Sequence, residues 1–234
     1  MNDTQTPKPK HPMKHPLILR ADRKFVPTQL DDFIGSNVVT NTDGQCTGAR
    51  IIARQIAQAI QSATKHDHQA LTLLINGAPG SGKSALASYA QHLTGCNQWN
   101  TTKLNGTECR IERVEEIARS LQLSNLFGDW RMLRIEEADA IPKVAQVRLL
   151  TLLDDLPDGV IVVLTSNCRL TDFENRFQTR FQAFEIAGPD DREVESFLLR
   201  LAPELGKIAR QIATFATGNV RQALLDAQGI LQQS

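Results

Sequence analysis

The amino-acid sequence predicts an α/β protein, in which helices flank a parallel sheet and a small all-helical domain follows. Three observations predict this fold class. Strand-like apolar runs alternate with helical patterns as far as residue 186, which is the order that builds parallel sheets. The run at residues 159–164 (GVIVVL) is aliphatic after its glycine, as in strands buried on both faces. Beyond residue 188 the pattern is only helical.

The elements follow from periodicity and turn chemistry. Short apolar runs predict strands at residues 71–75, 132–135, 159–164 and 183–186, and a weaker signal predicts one near residues 100–104. Apolar residues at helical spacing predict helices at residues 49–64, 85–93, 111–121 and 143–153. Glycine and Asn-Gly clusters predict turns at residues 44–47 and 105–107.

We predict three parts along the chain. Residues 1–16 are rich in Pro, Lys, His and Thr and lack the apolar core of a secretion signal, so we expect a disordered tail. Residues 17–188 form the predicted α/β domain, and residues 189–234 form the predicted helical domain.

Composition limits the classes of function. Lys and Arg total 26, as do Asp and Glu, so the net charge of zero does not indicate a globally basic nucleic-acid binder. No apolar run approaches the roughly 18 residues that span a membrane, so no membrane partner is expected. The four cysteines form no C-x-x-C pair, which disfavours zinc, and their dispersal indicates a reducing cytoplasm.

The most specific signal is an octapeptide of the form G-x-x-x-x-G-K-[ST] between a predicted strand and a predicted helix. Such a loop brings backbone N–H groups to phosphate oxygens at a helix N-terminus. Lys83 is placed to reach the β- and γ-phosphates, and the Ser84 hydroxyl to ligate Mg²⁺. The alternative is a glycine-rich turn that binds no nucleotide. The residues of this phosphate loop are Gly77, Ala78, Pro79, Gly80, Ser81, Gly82, Lys83 and Ser84.

Polar residues follow two further predicted strands. In open parallel sheets, ligands bind beyond the carboxyl ends of the strands. One carboxylate of Glu136 and Glu137 can hold Mg²⁺, directly or through water, and the next can orient or deprotonate the attacking water. Asn167 can hold that water or contact the γ-phosphate. The alternatives are a solvated helix start for the two glutamates and an ordinary turn for Asn167.

The order of these motifs resembles the AAA+ ATPases and, within them, the clamp-loader group that includes replication factor C small subunits. The resemblance covers roughly residues 25–231. It is carried by the phosphate loop and by IEEAD at 135–139, LTSN at 164–167, RFQTRF at 176–181 and GNVR at 218–221. LDDFIG at residues 30–35 is similar to the family's segment near the adenine.

The resemblance implies ATP and Mg²⁺ as ligands and gives the matching residues roles. Glu136 takes the metal position and Glu137 that of the catalytic base. Asn167 matches the residue called sensor 1. Arg221 matches sensor 2, which lies on the helical lid and reaches the γ-phosphate; the alternative is a surface residue of the lid.

The resemblance also implies an oligomer of like or unlike subunits. Arg180 matches the arginine finger, which is offered to the ATP of a neighbouring subunit, and Arg176 is the second candidate. Such an arginine is worth about 10³–10⁵ in rate. The alternative for Arg180 is a surface ion pair.

The sequence departs from the family pattern in several places. Glu136 stands where the family usually has aspartate, and Thr179-Arg180-Phe181 replaces the clamp loaders' Ser-Arg-Cys. After the lid, we expect no helical collar of the kind that clamp loaders carry. Arg134 is a charged residue in a strand that we expect to be buried.

The resemblance implies an ATPase that drives oligomer assembly and remodels a protein complex in DNA replication, recombination or transposition. A helicase loader or transposition regulator is the alternative within this class. An ATP-binding interaction subunit with little turnover is the alternative of another class, favoured by Glu136. A metabolic P-loop kinase would need an acceptor site, which the sequence does not supply.

Direct contact with DNA is a separate hypothesis. Arg110, Arg113 and Arg119 lie on or near the predicted helix 111–121, and the comparable region of clamp loaders faces DNA. Three glutamates share this helix, so a solvated helix of mixed charge is the favoured alternative.

Overall fold

A computed structural model describes residues 15–22, 25–41, 44–123, 128–173 and 175–233. Of the predicted tail, residues 1–14 lie outside the described residues. No helix in the described ranges is long and apolar enough to cross a membrane.

The described strands form one sheet, whose order is β1-β2-β7-β3-β6-β5-β4. Only β1 and β2 pair antiparallel, and every other neighbouring pair is parallel. The predicted parallel α/β fold is therefore confirmed. The strands are β1 (Val38–Asn41), β2 (Gly44–Gly48), β3 (Leu71–Gly77), β4 (Thr101–Asn105), β5 (Arg131–Glu136), β6 (Val160–Ser166) and β7 (Gln182–Ala187).

Helices cover both faces of the sheet. The described helices are α1 (Pro16–Ala21), α2 (Ala49–Lys65), α3 (Lys83–Leu93), α4 (Ile111–Leu121), α5 (Lys143–Asp154), α6 (Asn175–Gln178), α7 (Asp191–Leu201), α8 (Ile208–Ala216) and α9 (Val220–Leu231). Alternate strand residues point to opposite faces, so Leu73 and Ile75 pack with α2 and α3, whereas Leu74 packs with α4 and α5.

The predicted turn at residues 44–47 is wrong, because these residues belong to β2. Thr47 pairs with Ile186 of β7, which extends the parallel sheet at that edge. The glycine next to this segment permits a close approach of two backbones. A Cβ on Gly48 would lie 2.2 Å from the carbonyl carbon of Gly35.

The last three helices form a separate core that α1 completes. Leu17 of α1 is fully buried among apolar residues of α7, α8 and α9, such as Leu198 and Ala213. The sequence predicts that residue 17 begins the α/β domain, but its apolar side chain is buried by the C-terminal helices. The predicted division near residue 188 stays a prediction.

Candidate nucleotide-binding site

The phosphate loop connects the carboxyl end of β3 to the N-terminus of α3. Positive φ angles of 78° at Gly80 and 105° at Gly82 give the loop its curvature. The Nζ of Lys83 donates to the carbonyl oxygens of Gly77 and Ala78, each at 2.8 Å. Burial lowers the pKa of Lys83 below its ordinary value, and the charge of Asp139 partly offsets this effect. The loop is thus a preformed cationic cradle.

The C-terminal helices reach this loop through Asn219, which precedes α9. A Cβ on Gly80 would lie 1.9 Å from Oδ1 of Asn219. The same oxygen accepts from the backbone N–H of Gln222 at 3.1 Å and caps α9. Arg221 follows in the first turn of α9, and its charge acts on Lys83. The structure therefore brings the candidate sensor 2 residue to the phosphate loop.

Gly80→Ala is expected to weaken ATP binding at least about tenfold. The new Cβ overlaps the side chain of Asn219, which has to move away and give up its cap on α9, and the left-handed backbone adds about 1–2 kcal/mol. Titration with a fluorescent ATP analogue measures the affinity. Gly95→Ala is the matched control, because Gly95 has a φ of 66° but nothing within 4 Å of where its Cβ would lie. Equal affinity of the Gly80 variant and the wild type would contradict this expectation.

Glu136, at the end of β5, is held by two cations. Its Oε1 lies 2.6 Å from Nη2 of Arg134, and its Oε2 lies 3.0 Å from Nζ of Lys103. Burial opposes ionisation of this carboxyl group, but hydrogen bonds and charge from Lys103 and Arg134 prevail and lower its pKa. Arg134 is thus a charged residue with a partner, which accounts for its place in a buried strand.

Glu137 adopts a left-handed backbone conformation with a φ of 55°. Such conformations cost a non-glycine residue of order 1–3 kcal/mol and cluster at functional sites. The Oε2 of Glu137 accepts from Nδ2 of Asn105 at 2.9 Å, so the end of β4 holds this carboxylate. Sequence reasoning assigned Asn105 only to a turn. The available signal in the sequence is its position directly after a predicted strand.

Asp139 links the ends of β5 and β6. Its Oδ1 accepts from Oγ of Ser166 at 2.9 Å and from the backbone N–H of Asn167 at 3.1 Å. Its negative charge also acts on Lys83. The exposed side chain of Asn167 consequently lies at the same edge of the sheet as the phosphate loop. Sequence reasoning gave Asp139 and Ser166 no role.

Arg180 lies away from the phosphate loop of its own chain. Its backbone carbonyl oxygen accepts from Oγ1 of Thr72, near the start of β3. Thr72 lies five positions before Gly77 in the strand, a distance of about 16 Å at roughly 3.3 Å per residue. The guanidinium makes two hydrogen bonds to Asp154, at 2.8 and 3.0 Å. The structure thus shows the ion pair that was the alternative interpretation of Arg180. It also places Arg180 near the opposite end of β3 from the phosphate loop of the same chain.

The segment similar to the family's adenine region lies beside the helical domain. Residues Phe33, Ile34 and Gly35 line a cavity of about 360 Å³ together with α7. Ser36 donates through both its backbone N–H and its hydroxyl to Oε1 of Glu193, each at 2.8 Å. This segment therefore connects the α/β part of the chain to the first lid helix.

Residues 73–188 match the sequence profile described as "ATPase family associated with various cellular activities (AAA)". The chain carries an AAA ATPase domain. No curated protein sequence matches the chain. The family assignment therefore rests on the profile match. The octapeptide, Glu136, Glu137 and Asn167 all lie within the matched residues.

Solved structures with the fold of this AAA domain include two from Thermotoga maritima. RuvB, described as a Holliday junction branch migration motor, is 19% identical over 86% of this chain and 63% of its own, with a TM-score of 0.64. A DNA polymerase III gamma-subunit-related protein is 13% identical over 75% of this chain and 57% of its own, with a TM-score of 0.59. The chain therefore spans less than two thirds of either protein, and the likeness concerns the fold.

Proposed function

We propose that the chain is an ATP-driven switch that assembles with other subunits and remodels a protein complex of DNA replication, recombination or transposition. The contact between Asn219 and Gly80 carries this proposal. Because the lid touches the loop that would hold the phosphates, a change in nucleotide state changes what the lid packs against. Movement of the lid is the means by which ATP binding and hydrolysis reach neighbouring subunits.

The residues of the site divide the work of phosphoryl transfer. Lys83 and Arg221 supply positive charge to the phosphates, and Glu137 orients or deprotonates the attacking water. Asn167 positions that water or the γ-phosphate. These are the charges that a transfer reaction needs, because positioning and charge neutralisation provide most of its catalysis.

The site offers Mg²⁺ the oxygen ligands that it prefers. The Ser84 hydroxyl is one, and the Glu136 carboxylate is the other. Glu136 already accepts hydrogen bonds from Arg134 and Lys103, but a carboxylate has about four lone-pair positions. It can therefore still contact the metal through water. Bound Mg²⁺ would neutralise phosphate charge.

Two observations support a role in DNA metabolism through protein partners. The two solved structures described above are, by their descriptions, a branch migration motor and a relative of a DNA polymerase subunit. Arg113 pairs with Glu116 at 2.8 Å, and Arg148 pairs with Glu115 at 2.7 Å. The surface of α4 is thus charge-compensated, which favours a protein partner over direct DNA contact at this helix. A helicase loader or transposition regulator remains the alternative of this class.

A second candidate is an ATP-binding interaction subunit with little turnover. The observation in its favour is that cations contact both carboxylate oxygens of Glu136. Against it, Lys83, Glu137 and Asn167 lie at one edge of the sheet, and the charge of Arg221 on α9 acts on Lys83, as hydrolysis requires.

The ATPase rate per subunit, measured against protein concentration with and without single-stranded or primed DNA, tests the proposal. We expect the rate to rise steeply with concentration, because Arg180 acts only on a neighbour, and to rise further with DNA. A flat, near-zero rate with tight ATP binding would support the second candidate. Failure to bind ATP would contradict both.

We propose that the protein acts in the reducing cytoplasm.

A further inference from the structure

Arg134 occupies an unusual place for a charged side chain. It projects from β5 towards α3, and only 6% of its side chain is exposed. Nη1 donates to Oγ of Ser88 at 2.9 Å, and Nη2 donates to the carbonyl oxygen of Ser84 at 3.1 Å. The guanidinium therefore contacts the backbone of Ser84, whose hydroxyl is the candidate metal ligand.

The same Nη2 holds Oε1 of Glu136 at 2.6 Å. Arg134 and Glu136 are two residues apart in one strand, so their side chains share a face of the sheet. On the neighbouring strand, Lys103 is the register partner of Arg134 and contacts the other oxygen of Glu136. Two positive charges thus surround one negative charge, and the net charge of this group is positive.

The positive charge of this group opposes the binding of a divalent cation beside Glu136. A unit charge interacts with a divalent ion twice as strongly as with another unit charge at the same distance, and screening is weaker for a buried charge than for an exposed one. Lys103 is 56% exposed and solvent screens its charge. Arg134 is buried and fixed by three hydrogen bonds, so its contribution persists.

We propose that Arg134 is a built-in counter-cation of the metal site, which positions Glu136 and offsets its charge so that Mg²⁺ adds little to nucleotide affinity. This inference rests on the proposed function, in which Ser84 and Glu136 hold the metal. Arg134 is a positioning residue: it acts on the metal and the nucleotide through Glu136 and Ser84. It also accounts for glutamate at position 136, since this carboxylate contacts a protein cation as well as the proposed metal.

The test compares nucleotide affinity in Mg²⁺ and in EDTA, using a fluorescent ADP analogue and the purified full chain. For the wild type we expect less than about a threefold difference between the two conditions. Arg134→Gln removes the charge but keeps an amide donor for Glu136, and we expect Mg²⁺ to strengthen its affinity at least about tenfold, as the Coulomb argument requires. Binding of Mn²⁺ in the presence of ADP, followed by electron paramagnetic resonance, is expected to strengthen in parallel.

Two further variants separate charge from structure. Arg134→Lys keeps a cation and is expected to retain the weak Mg²⁺ effect. Lys103→Gln removes the exposed cation and is expected to change the Mg²⁺ effect by less than about threefold, because solvent already screens that charge. Thermal unfolding checks that each variant is folded.

A wild-type affinity that depends on Mg²⁺ tenfold or more would overturn this inference, even if Arg134→Gln failed to fold. An unchanged Mg²⁺ effect in a folded Arg134→Gln protein would overturn it as well. Absence of nucleotide binding by the wild type under both conditions would instead contradict the proposed function.

Discussion

The Glu137→Gln protein is expected to bind ATP normally and to hydrolyse it at least about 10²-fold more slowly than the wild type. Glutamine has the size of glutamate but cannot take a proton from the attacking water. Its amide oxygen can still accept from Asn105, which holds Oε2 of Glu137 at 2.9 Å. The left-handed backbone at this position is therefore expected to persist.

Phosphate release under single-turnover conditions measures the chemical step, and titration with a fluorescent ATP analogue measures binding. Because the variant retains ATP, we expect it to accumulate as the assembled oligomer in size-exclusion chromatography. Glu116→Gln, on the surface of α4, makes the same chemical change far from the site and is expected to leave the rate unchanged. Wild-type hydrolysis by a Glu137→Gln protein that binds ATP would show that another group is the base.

The parts of the fold that local sequence determines were predicted correctly. The helix predicted at residues 111–121 is α4 (Ile111–Leu121), because its apolar stripe has helical spacing and polar residues bound it. The aliphatic part of the run at residues 159–164 lies in β6, whose residues are all buried and which lies between β3 and β5. A phosphate loop is similarly local, since its glycines, lysine and serine act within eight residues.

Contacts between distant segments escaped sequence reasoning. Strand β2 has no apolar alternation, and its pairing with β7 depends on residues about 140 positions later in the chain, so only the folded sheet reveals it. Asn105, Asp139 and Asp154 are polar residues of ordinary turns or helix ends in the sequence. Their roles come from partners at other strand ends. Arg134 had no explanation until the structure placed Ser84, Ser88 and Glu136 around it.

Arg180→Ala is expected to lower ATP turnover by the assembled protein about 10³-fold or more while leaving nucleotide affinity unchanged. Arg180 lies near the start of β3, whereas the phosphate loop of the same chain follows the end of that strand. We therefore propose that its guanidinium acts on the ATP of a neighbour, where it would offset the charge that develops during transfer. Arg210→Ala removes a surface arginine that pairs with Glu195 on the lid, and is expected to have no effect on turnover.

The ion pair with Asp154 provides a variant that separates the two interpretations of Arg180. If Arg180 serves only to stabilise the chain through this pair, Asp154→Ala and Arg180→Ala are expected to lower the melting temperature and the activity alike. If Arg180 is a finger, Asp154→Ala releases the guanidinium and is expected to leave turnover unchanged or to raise it. In that case Asp154 holds the guanidinium of Arg180 only until a neighbouring subunit binds.

Mixing variants tests whether Arg180 acts between subunits. Lys83→Ala subunits carry an intact Arg180 but no working nucleotide site, and Arg180→Ala subunits carry the reverse. Each protein alone is expected to be inactive, and their mixture to recover turnover, because a Lys83→Ala subunit offers its arginine to an Arg180→Ala neighbour. No recovery in oligomers shown to contain both subunits would contradict action in trans. Recovery would show that hydrolysis depends on assembly. Arg180 lies near the start of β3, about 16 Å along the strand from the phosphate loop of its own chain, so each site would need the arginine of a neighbour.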